Sequence, residues 1–174
     1  MFRSPLTVLV VAAAACSSSA SLTGVGAFDP NTQTAQGLGT LYSDGGGLFD
    51  QLNILVAHVD QGGQDCAQTT MPGNPATGQL LRISLFHADG SAMTTDTYEI
   101  GSPDAGNIAI LFTLLREPDA GGAPTAAGVS GSVTLTQIQP NTVATFSAQM
   151  ATANDGGGTL TGNVNAALCG VQFE

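Results

Sequence analysis

Two histidines each stand two residues before an aspartate, in His58-Val59-Asp60 and His87-Ala88-Asp89. On a β-strand, residues two apart share a face, so each pair sets an imidazole beside a carboxylate. If the two strands were neighbours, His58, Asp60, His87 and Asp89 would converge as four ligands of the kind that hold a transition metal. The competing reading places both pairs at strand ends, where His and Asp meet solvent beside the glycine turns that follow. The second is favoured, because two histidines of unknown proximity are thin evidence. No metal or other cofactor is expected.

Other chemistry finds less support. Asp-Gly clusters such as Asp44-Gly45-Gly46-Gly47, Asp89-Gly90 and Asp155-Gly156-Gly157-Gly158 offer one carboxylate each. They lack the alternating acidic residues and final glutamate of a calcium loop. Gly128-Val129-Ser130-Gly131 is not a Gly-x-Ser-x-Gly nucleophile elbow. Glu99, Glu117 and Glu174 are isolated, so no pair of catalytic carboxylates is nominated. Gly45-Gly46-Gly47 has neither the lysine nor the helix of a phosphate loop. The chain has no tryptophan and few other aromatic residues, which argues against a platform for stacking bases or sugars. The expectation is a protein without catalysis.

Charge excludes a further class. Thirteen acidic residues face three basic ones, for a formal net charge of −10. Beyond Arg3 only Arg82 and Arg116 are cationic, and lysine is absent. Such a chain repels phosphate backbones and anionic headgroups, so neither nucleic acid nor an electrostatically bound membrane is an expected partner.

The first residues bear on location. Met1-Phe2-Arg3-Ser4-Pro5 carries one basic residue, Leu6 to Ala15 is uncharged, and Cys16-Ser17-Ser18-Ser19 follows. The apolar run is short for a bilayer span and ends in small residues, the pattern of a secretory signal. Ala13-Ala14-Ala15-Cys16 resembles the lipobox of bacterial lipoproteins, although leucine is commoner where Ala13 stands. The resemblance implies cleavage before Cys16, a diacylglycerol on its thiol and attachment to a membrane through that lipid. Two or more acyl chains give a stable hold, at about 0.8 kcal/mol per buried CH₂. By analogy with lipoprotein sorting, Ser17 rather than aspartate after the cysteine implies the outer membrane of the cell envelope. With Cys16 carrying lipid, Cys66 and Cys169 remain as a pair in an oxidising compartment, where a disulfide is expected. It would close a loop of about a hundred residues and stabilise by several kcal/mol. The alternative is two unrelated buried thiols.

Stepping along the chain gives three parts: a signal peptide at 1–15, a lipidated cysteine and flexible spacer at 16–36, and a single β-rich domain at 37–174. The spacer is small and polar without strong periodicity, suited to lifting a domain off a membrane. In the domain, apolar runs alternate with turns built on Asp and Gly. Val143 to Met150 alternates with a period of two, as do Ser132 to Thr136 and Leu160 to Leu168. Pro140-Asn141 supplies a hairpin turn. Leu52 to Val59, Leu80 to His87 and Ile108 to Leu115 are apolar on both faces, as central strands covered on both sides would be. Leucine and alanine leave a helix open for Ile108 to Leu115, but its short length between turns favours a strand. Thr94 to Ile100 reads as an edge or return strand with Tyr98 and Ile100 inward. The fold expected is all-β, an antiparallel sandwich or barrel of about seven or eight strands.

Gly131-Ser-Val-Thr-Leu-Thr, Thr145-Phe-Ser-Ala and Leu160-Thr-Gly-Asn-Val-Asn-Ala-Ala-Leu-Cys169 resemble the C-terminal hairpins of small lipoproteins from myxobacteria and their relatives. The resemblance covers about a third of the chain and implies a β-domain with no known activity. Taken together, the expected function is a lipid-anchored β-domain with a binding or envelope-structural role toward a protein or small-ligand partner. The alternative is a barrel that binds a small ligand or a metal.

Overall fold

Strand-forming alternation, broken by glycine turns, dominates the chain from its first described residue. The computed structural model describes residues 19–24, 36–43, 49–58, 78–101, 106–116, 123–152 and 157–173. These form nine strands: β1 (Ser19–Gly24), β2 (Gln36–Ser43), β3 (Phe49–His58), β4 (Gly78–His87), β5 (Thr97–Ile100), β6 (Asn107–Arg116), β7 (Ala123–Gln137), β8 (Asn141–Thr152) and β9 (Gly158–Phe173). No helix occurs among the described residues. The protein is all-β, as its patterning predicts.

One sheet holds all nine strands and curls until its pairings close a ring, β9–β2–β3–β4–β6–β7–β8–β9. β5 is a short wedge between β6 and β7, and β1 lies along β9 ahead of β2. Most neighbours are antiparallel. The expected purely antiparallel order fails at two joints, β2–β9 and β5–β6, which are parallel. The first joint closes the ring.

The interior follows from the period of two. Leu52, Ile54 and Val56 on β3 face inward with Leu81, Ile83 and Leu85 on β4, all fully buried. Ala144, Phe146, Ala148 and Met150 on β8 do the same, as do Leu160, Val164 and Ala166 on β9. Size is matched across strands: Phe146 stands opposite Gly162, where an added Cβ would come within 2.6 Å of the ring. Tyr98 and Ile100 are inward on β5 as expected, and the turn at Ile138–Pro140 joins β7 to β8. That turn contains a cis Gln139–Pro140 bond.

Two expectations need correction, and a third, the strand favoured at Ile108 to Leu115, holds against the helix left open. Ser19–Gly24 lies in the stretch expected to be a flexible spacer, yet it pairs along β9 from Asn165 to Leu160. Its alternation of Ala20 and Leu22 with Ser21 and Thr23 is too short to assert a strand without that partner. The helix left open at Ile108 to Leu115 is strand β6, because β4 offers it an unbroken ladder from Gly78↔Arg116 to His87↔Asn107. Burial on both faces of the central strands is only partial. On the outer face Asn53 is 2% exposed, but Ile110 is 47% exposed.

Candidate functional site

Registry decides the fate of the two His-x-Asp pairs. β3 and β4 are neighbours, as convergence required, but they are antiparallel and His58 pairs with Gln79. His87 lies at the other end of β4, about 26 Å away at roughly 3.3 Å per residue. His58 and His87 therefore do not meet. Asp60 lies outside the described residues, as do the side chain of His58, Cys16, Cys66 and the side chain of Cys169; the expected disulfide falls with them. Among the described residues, no group of three or more His, Cys, Asp or Glu side chains is arranged to hold a metal ion.

His87 differs from its expected role at a wet strand end. Odd-numbered positions of β4 point inward, so His87 is the last inward residue, half-buried at one end of the barrel. Its ring lies 5.4 Å from that of Tyr98, tilted by 54°. The amide nitrogen of Asn107 donates to Asp96 at 2.9 Å and to the Thr97 carbonyl at 3.2 Å. The amide oxygen is thereby turned to His87 Nδ1, 2.7 Å away, which must carry the hydrogen. Nε2 faces the Tyr98 hydroxyl at 3.2 Å and Thr94 Oγ1 at 3.5 Å, while Tyr98 donates to the Thr94 carbonyl at 2.7 Å. Both ring nitrogens thus have protein partners, which explains why His87 does not join Asp89. Asp89 is exposed in the following turn and accepts the Ser91 N–H at 2.9 Å. The sequence could not disclose this network, because His87, the stretch Thr94 to Tyr98 and Asn107 come from three separate segments.

The network fastens the β4–β5 connection, and its charged member sets a pH window. The Thr97 backbone N–H, then the Asn107 amide, hold the Asp96 carboxyl below its ordinary range. Burial pushes the Tyr98 hydroxyl up. A depressed carboxylate stabilises the fold above its unfolded value of about 3.9 and loses that contribution as pH falls through the lower folded value. A raised phenol contributes fully below about 10 and loses its contribution as pH climbs past that. The expected result is a Thr97 amide whose hydrogen-exchange protection drops below about pH 4, ahead of Val133. Asp96→Asn should remove that acid step, and an identical step in the variant would refute the assignment.

A second cluster lies on the outer face of β3 and β4. The Oδ1 of Asn53 accepts from Arg82 Nε at 3.2 Å, Arg82 Nη2 at 3.1 Å and Ser84 Oγ at 2.5 Å. Asn53 Nδ2 is buried without a hydrogen-bond partner. With Gln51 Nε2 at 3.5 Å, one oxygen gathers four donor atoms while the amide's own donor finds no acceptor.

A polar surface covers the outer face of β5, β7, β8, β9 and β1. Cross-strand registry lines up Thr97, Thr134, Thr145, Asn163 and Ser21 in one row. The next row holds Glu99, Ser132, Ser147, Thr161 and Thr23. No residue of β1, β7, β8 or β9 is charged. A shallow groove of about 310 Å³ runs over the centre of this face, and a hollow of about 260 Å³ continues it over Val143 and Asn165. At the margins side chains bond one another: Thr97 to Thr134 at 3.2 Å, Asn141 to Asn165 at 2.7 Å and Gln149 to Thr159 at 2.8 Å. In the centre, among the described residues, Ser21, Ser132, Thr145, Ser147 and Asn163 make no side-chain hydrogen bond. The alternation of each strand announces its polar side; the order β7–β8–β9–β1 that joins these sides is a tertiary fact.

Compared with family models, with curated proteins and with solved structures, the chain gives no match.

Proposed function

We propose that the chain is an exported lipoprotein, cleaved before Cys16 and held in the cell envelope at the outer membrane by acyl chains on that cysteine. There it serves as a binding domain without catalysis, and its binding face is the outer surface of β7, β8, β9 and β1. The observation that carries the binding role is the uncharged groove on that face, with its five central side chains lacking partners. Hydroxyls and amides left open in this way can bond a partner without rearranging the sheet. In this reading Cys66 and Cys169 form a disulfide in the oxidising envelope.

Two measurements test the proposal. Cys16→Ser should abolish palmitate labelling and move the protein from the membrane to the soluble fraction. Continued sedimentation of an unlabelled variant with membranes would overturn the anchor. For the face, envelope fragments should retain the protein after detergent release. A Thr145→Glu, Thr161→Glu variant should be washed away while keeping its melting temperature; equal retention of both would overturn the binding face.

A further inference from the structure

We infer that this face takes a neutral polysaccharide, with one sugar chain lying in the groove along Thr134, Thr145, Asn163 and Ser21. The inference rests on the binding role proposed above and names its ligand class.

Charge provides the first argument. The chain carries a net charge of −10, yet the four strands that build the groove contain no ionised side chain. Acidic and basic residues are sorted elsewhere: Arg82 and Arg116 lie on β4 and β6, and Glu99 stands at the rim on β5. An anionic partner finds no cation there and is repelled by the molecule as a whole. A cation finds no cluster of carboxylates. What remains is a neutral partner recognised by hydrogen bonds alone.

The kind of group on offer narrows the choice. Serine and threonine hydroxyls both donate and accept, and the Asn163 amide presents one of each. A sugar hydroxyl has the same double capacity, so either side can turn its hydrogen to suit the other. These side chains recur from strand to strand at about 4.8 Å. A polymer crossing the strands therefore meets a fresh polar group at each step, on the same scale as a chain of sugar rings.

Shape separates a flexible chain from a rigid lattice. Neighbouring strands rotate by about 20–25°, so a surface spanning four of them is twisted. Ice, or a crystalline glycan, presents a plane and would touch only part of it. A soluble chain can follow the groove. Without aromatic side chains on the rows, binding relies on several modest contacts and should be weak per sugar.

Native electrophoresis of the full chain in gels containing dextran, laminarin or polygalacturonate tests the inference. Either neutral glucan should slow the protein in proportion to its concentration, and polygalacturonate should not. Thr145→Glu, Thr161→Glu should weaken the retardation at least tenfold with its melting temperature retained, and Thr145→Ala, Thr161→Ala should weaken it without adding charge. Absence of retardation by both neutral glucans, equal retardation of the variants, preference for polygalacturonate, or adsorption to ice instead would each overturn the ligand class. The envelope-fragment assay separates the two readings. If fragments retain the protein and release the Glu variant while glucans fail, the ligand class is wrong and the binding face stands. If fragments treat both proteins alike, the face itself is wrong.

Discussion

Gly131→Ala is expected to unfold at a much lower denaturant concentration than the parent, with a loss of about 3 kcal/mol or more. Gly131 has φ 123°, a backbone conformation that side-chain-bearing residues rarely adopt. An added Cβ would lie 2.1 Å from the Ser147 carbonyl oxygen, a backbone atom in the facing strand that cannot swing aside. The position is also where β7 changes partners. It pairs with β6 through Ala127, passes an irregularity between Gly128 and Ser130, and meets Ile100 of β5 at Gly131. Alanine would thus strain the backbone and prise β7 from β8 at the bend that lets the ring close. Gly106→Ala is the control, since nothing lies within 4 Å of its added Cβ and its φ is unremarkable. Equilibrium denaturation of the two should separate them clearly. Coincident curves would mean that β7 does not need its glycine.

Asn53 should show a split between two substitutions. Asn53→Ala removes the oxygen that Arg82 and Ser84 share, and should cost about 2–3 kcal/mol, since buried donors lose their acceptor. Asn53→Asp keeps that oxygen, gives it charge toward the guanidinium, and removes the Nδ2 donor that has no partner. Its stability at pH 7 should equal or exceed that of the parent. The gain should vanish in acid as the carboxyl protonates, because a paired carboxylate stabilises only while ionised. Denaturation at pH 7 and pH 3 tests both arms. An Asp variant as unstable as the Ala variant at pH 7 would show that desolvating the carboxylate outweighs its pairing.

Strands were legible where alternation was long. Val143 to Met150 reads as a half-buried strand because all its even-numbered positions are apolar, and these are the buried ones. Tyr98 and Ile100 were legible for the same reason. Ile108 to Leu115 was ambiguous because all its residues but Thr113 are apolar, so no face is marked out; only the ladder with β4 makes it a strand. β1 was missed because Ala20 and Leu22 are two small signals in a polar stretch, and their burial depends on β9. The chemistry was less legible than the fold. His87 and Asp89 share a spacing that suggests joint action, but β4 ends at His87 and its ring turns to Asn107 and Tyr98. The polar sides of β8 and β9 could be read singly. Their union into one face needed the order of strands, which periodicity does not encode.

The role of β9 in closing the ring has a consequence for how the molecule is made. β9 follows the other eight described strands in the chain, yet β1, β2 and β8 all take it as a neighbour. Thr161 reaches back to the Thr23 carbonyl across 138 residues of chain. A nascent polypeptide can zip β3 to β4 and β7 to β8 as they appear, but both ends of the curled sheet stay open until residue 158 and beyond arrive. Such distant pairings close slowly, since the intervening chain must lose its freedom before any bond is gained. Until then the edges of β2 and β8 offer unpaired backbone to any passing strand. If the export proposed above precedes closure, the chain would cross in its open form and β9 would complete the ring on the far side.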